Sequence, residues 1–143
     1  MTNAIRIIGI GSPVGGAEVG LQLVEQLRSD VVWQQREEIE WLVLERPGAS
    51  LLQYFAGVDI VCVIDALESF SHKGVVRMAL DELLGEESTF SSHQFGVAES
   101  LQLARVLNQL PHRLLLYGIA GGDVTNNYDE LSAMLRHDLP TSG

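Results

Sequence analysis

The sequence predicts an α/β fold: a single domain over residues 1–143 built as a three-layer sandwich, with a mainly parallel open sheet covered by helices on both faces. Three observations carry this. Short apolar runs alternate with stretches of helical period, which is the pattern of strand–helix–strand units. The first run, Ile5 to Ile10, stops at a Gly/Ser/Pro cluster and leads into an amphipathic helix. Ile60-Val61-Cys62-Val63-Ile64 is apolar throughout, as expected of a central strand buried on both faces.

The elements follow in order. After the first strand, a helix is predicted from Ala17 to about Ser29, because Gly20, Leu23, Val24 and Leu27 fall on one face while Gln22, Glu25 and Arg28 turn outward. Glu40 to Leu44 reads as a second strand, closed by the turn-forming Glu45-Arg46-Pro47-Gly48. Ser50 to Ala56 is a short helix with Ser50 as its N-cap. Asp59 to Asp65 is the central strand. Ala66 to Gly74 is a polar loop, and Val75 to Leu80 is an additional edge strand, with a helix as its alternative. Asp81 to Phe90 is acidic and reads as an exposed connection. A long helix is predicted from Gln94 to Leu110, with Val97, Leu101, Ala104 and Leu107 sharing a face and Pro111 ending it. Arg113 to Ile119 is the last strand, Gly121-Gly122 its turn, and Asn127 to His137 a final helix with Tyr128, Leu131 and Leu135 on one side.

Bulk properties narrow the function. The chain has 143 residues, and a domain of this size buries roughly two thirds of the surface exposed when unfolded, so it needs no disulfide. Its one cysteine, Cys62, lies in the most apolar run and reads as an inert core thiol; a cysteine-based zinc cluster is excluded. Nine Lys and Arg face nineteen Asp and Glu, a net charge of −10 that opposes nucleic-acid binding and favours a protein or small-molecule partner. No run reaches the roughly 18 apolar residues of a membrane span, and Met1 to Ala4 leads straight into a strand without a targeting segment. A cytoplasmic monomer with no membrane insertion is expected.

Three polar residues stand where strands should deliver side chains to one rim of the sheet: Glu18 after the first strand, Asp65 at the end of the central strand, and His93 in Ser91-Ser92-His93-Gln94. In open α/β sheets ligands bind outside the carboxyl ends of strands. Two carboxylates and an imidazole offer ligands for nickel, zinc, cadmium-like or manganese-like ions and leave positions open. Each residue also has a structural reading. Glu18 suits a first helical turn, Asp65 a turn cap, and His93 a cap or packing role at the start of the long helix.

The order and spacing of these elements resemble the hydrogenase maturation endopeptidases, which remove a C-terminal peptide from the large subunit of nickel-iron hydrogenases. Gly9-Ile10-Gly11-Ser12 and Glu18-Val19-Gly20 match in part the family's Gly-x-Gly-Asn turn and the acidic pair and glycine after it. Ser12 replaces the usual Asn, and Ala17 stands where an acid is common. Asp65-Ala66 matches the family's Asp-Ala pair, and Ser91-Ser92-His93-Gln94-Phe95-Gly96 its Ser-x-His-Gln-hydrophobic-Gly segment. Glu45-Arg46-Pro47-Gly48 departs from the usual Asp-Gly-Gly-Thr, keeping the acid alone; Glu45 is either a peptide contact or a solvated turn residue. Gly121-Gly122-Asp123 replaces the usual acidic loop.

The resemblance implies an aspartyl-type endopeptidase that processes the large-subunit precursor of a nickel-iron hydrogenase. Glu18, Asp65 and His93 would bind nickel carried by that substrate, and Asp65 would act as general base. No tightly bound cofactor is expected. No His-Glu-x-x-His helix is present, so the site is not that of an ordinary zinc protease. Two other readings stand beside this one: a non-proteolytic chaperone for the same precursor, and a nucleotide-binding module. The second lacks the third glycine of the dinucleotide turn and any Gly-Lys-Ser/Thr.

Overall fold

The computed structural model describes residues 4–11, 18–69, 71–85, 95–121 and 123–141. Its strands are β1 (Ile5–Gly11), β2 (Ile39–Glu45), β3 (Ile60–Ala66), β4 (Gly74–Met78) and β5 (Arg113–Ala120); its helices are α1 (Val19–Arg28), α2 (Val31–Gln34), α3 (Leu80–Leu84), α4 (Ala98–Val106) and α5 (Val124–Asp138), with a 3-10 helix over Gly48–Phe55. The strands form one sheet in the order β2-β1-β3-β5-β4. All neighbours are parallel except β4, which runs antiparallel to β5 at one edge.

Alternation along each strand sorts the apolar side chains onto two faces. Ile5, Ile7, Ile60, Cys62 and Ile64 meet Leu23, Val24 and Leu27 of α1, Trp33 of α2, and Leu131 and Leu135 of α5. Ile8, Ile10, Val61 and Val63 meet Leu51 and Phe55 of the 3-10 helix, Leu83 of α3, and Ala98, Leu101 and Ala104 of α4. This is the expected sandwich, with a core on each side of the sheet. Cys62 is fully buried, and desolvation pushes its thiol up to about 12, so it stays protonated and inert.

Four local expectations need correction. Ser50 does not cap a helix: its hydroxyl donates to the Pro47 carbonyl, and Pro47 holds the N-cap position. The segment after β4 is not simply an exposed connection, because Leu80, Leu83 and Leu84 recur at helical spacing and α3 buries Leu83. The strand predicted to reach Leu80 therefore stops at Met78. The long helix is shorter at both ends. It stops at Val106, before Asn108 turns left-handed (φ 55°) and Gln109 N–H bonds back to Ala104, leaving Leu107 exposed instead of on the buried face. Pro111 lies beyond this stop and does not cause it.

Candidate active site at the switch point of the sheet

From β1 the chain crosses to β2 on one side, then returns past β1 to β3 on the other. The connections therefore part between the carboxyl ends of β1 and β3, the place where this architecture opens a crevice. The register shows the opening directly. β1 and β3 pair up to Gly9 and Ile64. Beyond that pair β1 continues only with β2, to Gly11 beside Glu45, while β3 continues only with β5, to Ala66 beside Ile119. Asp65 is the first residue of β3 past the fork.

Helix α1 closes this fork from one face. A Cβ added at Gly20 would sit 2.4 Å from the Ile64 carbonyl oxygen and 2.8 Å from that of Ile10, and one at Gly9 would sit 2.6 Å from the Gly20 carbonyl oxygen. Only glycine at both positions lets the helix backbone approach so closely. The contact fixes the helix start against both strand ends. Glu18 lies two residues before Gly20, exposed, at the N-cap position of α1, where its carbonyl accepts from Gln22 N–H.

Asp65 follows the alternation of Val61 and Val63 and so faces the layer of α4. It is 2% exposed, and the Ala66 N–H donates to its Oδ1 at 2.7 Å. Its Oδ2 lies beside Gly96, where an added Cβ would be 3.3 Å away. The adjoining Phe95 forms a bridge with Leu67 that brings this segment to the end of β3. Burial raises the Asp65 pKa from 3.8 to about 7, outweighing the opposing hydrogen bond from Ala66. A carboxyl poised near neutrality in a crevice is suited to proton transfer.

The structure thus brings α1's start, bearing Glu18, and Asp65 to the same fork, from opposite faces of the sheet. His93 lies outside the described residues, as do Ser12 and the rest of the first turn up to Ala17. Among the described residues no three His, Cys, Asp or Glu side chains cluster as metal ligands. Oxygen donors of this kind fit a hard or borderline ion. Sequence reasoning missed the roles of Gly9 and Gly96. For Gly9 the available signal was a small residue inside an apolar strand pattern that called for bulk; Gly96, an exposed turn residue, gave no such signal.

A family model of hydrogenase maturation proteases, HycI, matches residues 22–142. The chain belongs to this family. The match covers Asp65 and His93 and begins after Glu18. Among curated proteins, the hydrogenase expression/formation protein HupD of Thiocapsa roseopersicina is 29% identical over 120 residues, which is 80% of this chain; the chain spans about half (53%) of that relative's length. The fold is shared with the hydrogenase maturating endopeptidase HybD of E. coli, at TM-score 0.64 and 22% identity over 93% of this chain and 92% of that one. It is likewise shared with the [NiFe] hydrogenase maturation protease HycI of Thermococcus kodakarensis, at TM-score 0.60 and 18% identity over 94% and 91%. The open, mainly parallel sheet is therefore the fold of maturation proteases.

Proposed function

We propose that this maturation protease is the endopeptidase that removes the C-terminal peptide from the large-subunit precursor of a nickel-iron hydrogenase. The observation that carries the reading is Asp65: a buried carboxyl at the switch point whose pKa lies near 7, in a chain of this family. In its ionised form Asp65 takes a proton from water as the water oxygen adds to the scissile carbonyl carbon. The C–N bond then breaks, and the proton passes to the departing amine. Oδ2, turned toward Gly96, is the oxygen left for this work, since Oδ1 holds the Ala66 N–H.

Nickel enters as part of the substrate, held in the precursor and contacted by Glu18, Asp65 and His93. It marks a precursor ready for processing and polarises groups near the cut. The protein itself carries no tightly bound metal, because three ligands on an open rim lack the closed shell of a structural site. It acts as a cytoplasmic monomer. No helix among the described residues is long and apolar enough to cross a membrane.

The test is incubation with nickel-loaded and nickel-free large-subunit precursor, followed by mass measurement. Loss of the C-terminal peptide from the nickel-loaded form alone is expected. Tight binding to either form without cleavage would make the protein a chaperone. Stoichiometric zinc or nickel in the isolated protein, resistant to chelation and required for cleavage, would make the metal the enzyme's own.

A further inference from the structure

The two edges of the sheet are finished differently. At the β4 edge, Glu130 of α5 accepts the Val75 N–H at 2.8 Å, so a side chain covers the strand's outward donor. No such cover is present on β2 among the described residues. Ile5 N–H donates to the Glu38 carbonyl and Arg46 N–H to the Gly11 carbonyl, each at 3.0 Å. In a parallel ladder these bonds turn the backbone groups of even-numbered residues from Glu38 to Arg46 toward β1. Trp41, Val43 and Glu45 therefore direct N–H and C=O away from the sheet.

The side chains tell the same story. Trp41, Leu42, Val43 and Leu44 are all half-buried, whereas Ile7, Ile8 and Ile10 of the neighbouring β1 are fully covered. Trp41 and Val43 lie on one face of the sheet and Leu42 and Leu44 on the other. One further strand would complete both faces. Exposed Glu45 ends this apolar stretch, and Glu40 at its start is already paired with Arg6. A second copy of the chain would bring another net charge of −10 to the edge, so self-pairing is opposed.

We propose that β2 is the docking edge for an extended segment of the precursor, apolar at its centre with a basic residue where it passes Glu45, added as a sixth strand. This rests on the proteolytic reading above and names the surface that holds the substrate. A strand added outside β2 lies three strand spacings, roughly 14 Å, from β3. About four extended residues span that distance to Asp65. Main-chain bonds to Trp41, Val43 and Glu45 would supply affinity, and the Glu45 carboxylate selectivity.

Amide hydrogen exchange on the full chain, alone and with nickel-loaded precursor, tests this. The Trp41, Val43 and Glu45 amides should exchange freely in the isolated protein and slow about tenfold or more with precursor, while Val75, already bonded, changes little. Val43→Pro, which removes one outward donor and no ladder bond, should raise the KM for processing about tenfold, the worth of one or two hydrogen bonds, with kcat retained. If that variant fails to fold, the exchange pattern decides. Processing without protection of these amides overturns the docking edge and leaves the proteolytic function standing. Absence of both binding and processing overturns both. Protection that grows with protein concentration without precursor would assign the edge to a second copy.

Discussion

Replacing Asp65 by Asn removes a charge that the fold holds at a cost. The folded state binds the Asp65 proton more tightly than the unfolded chain does, since burial raises the pKa from 3.8 to about 7. The stability contributed by the protonated carboxyl is thus fully present below about pH 4 and is lost as the pH rises through about 7. At ~1.4 kcal/mol per pH unit, that gap makes the ionised carboxylate cost about 4 kcal/mol at pH 8.5, an upper figure because the surrounding protein relaxes around a charge. An amide of the same shape carries no such charge and keeps an oxygen for the Ala66 N–H. Asp65→Asn should therefore be about 2–4 kcal/mol more stable than the parent at pH 8.5 and nearly equal at pH 4. Urea unfolding at the two pH values, followed by Trp33 and Trp41 fluorescence, measures the difference. Processing should move the opposite way: lost in the variant, and in the parent rising with pH around a midpoint near 7. A variant no more stable than the parent at pH 8.5 would mean that the carboxylate is well solvated or charge-compensated, and Asp65 would lose its physical claim to be the base.

Other expectations follow from the same geometry. Gly20→Ala should destabilise the protein by about 1–3 kcal/mol despite alanine's better helix propensity, because its Cβ meets two backbone carbonyls, and processing should fall further than stability; an unchanged melting temperature would refute the close contact. Tyr117→Phe removes the 2.6 Å hydrogen bond that its hydroxyl donates to the buried Asp138 carboxylate, leaving Arg77 at 3.3 Å as its ionic partner, and should cost about 1–3 kcal/mol by denaturant titration with kcat unchanged. His93→Ala tests the proposed contact with nickel: it should abolish or strongly weaken processing with little loss of thermal stability, and normal processing would make His93 a cap or packing residue.

The parts legible in the sequence were those set by local periodicity. The buried face of α1, the apolar β3 and the placing of Asp65 at its end all followed from hydrophobic spacing. The elements misread were those settled by tertiary contact. Four acidic residues near Leu80, Leu83 and Leu84 hid a short helix whose formation rests on burying Leu83. Leu107 continued the helical pattern of α4 although the backbone had already turned at Asn108. At the site, sequence supplied the chemistry of Asp65, but its elevated pKa depends on how deeply the fork and Gly96 enclose it. That is a property of packing across three segments, which no local pattern records.

The contact of Gly20 with both Ile10 and Ile64 has a mechanical meaning. Above Gly9 and Ile64 the sheet divides into two ribbons, β2–β1 and β3–β5–β4, with no ladder bonds joining them. Left alone, such a division could flex like the jaws of tongs. Helix α1 sits in the hinge with its backbone against both jaws, so the gap is set when the chain folds and not when substrate arrives. A site held at fixed width loses little conformational freedom on binding, and it discriminates by fit.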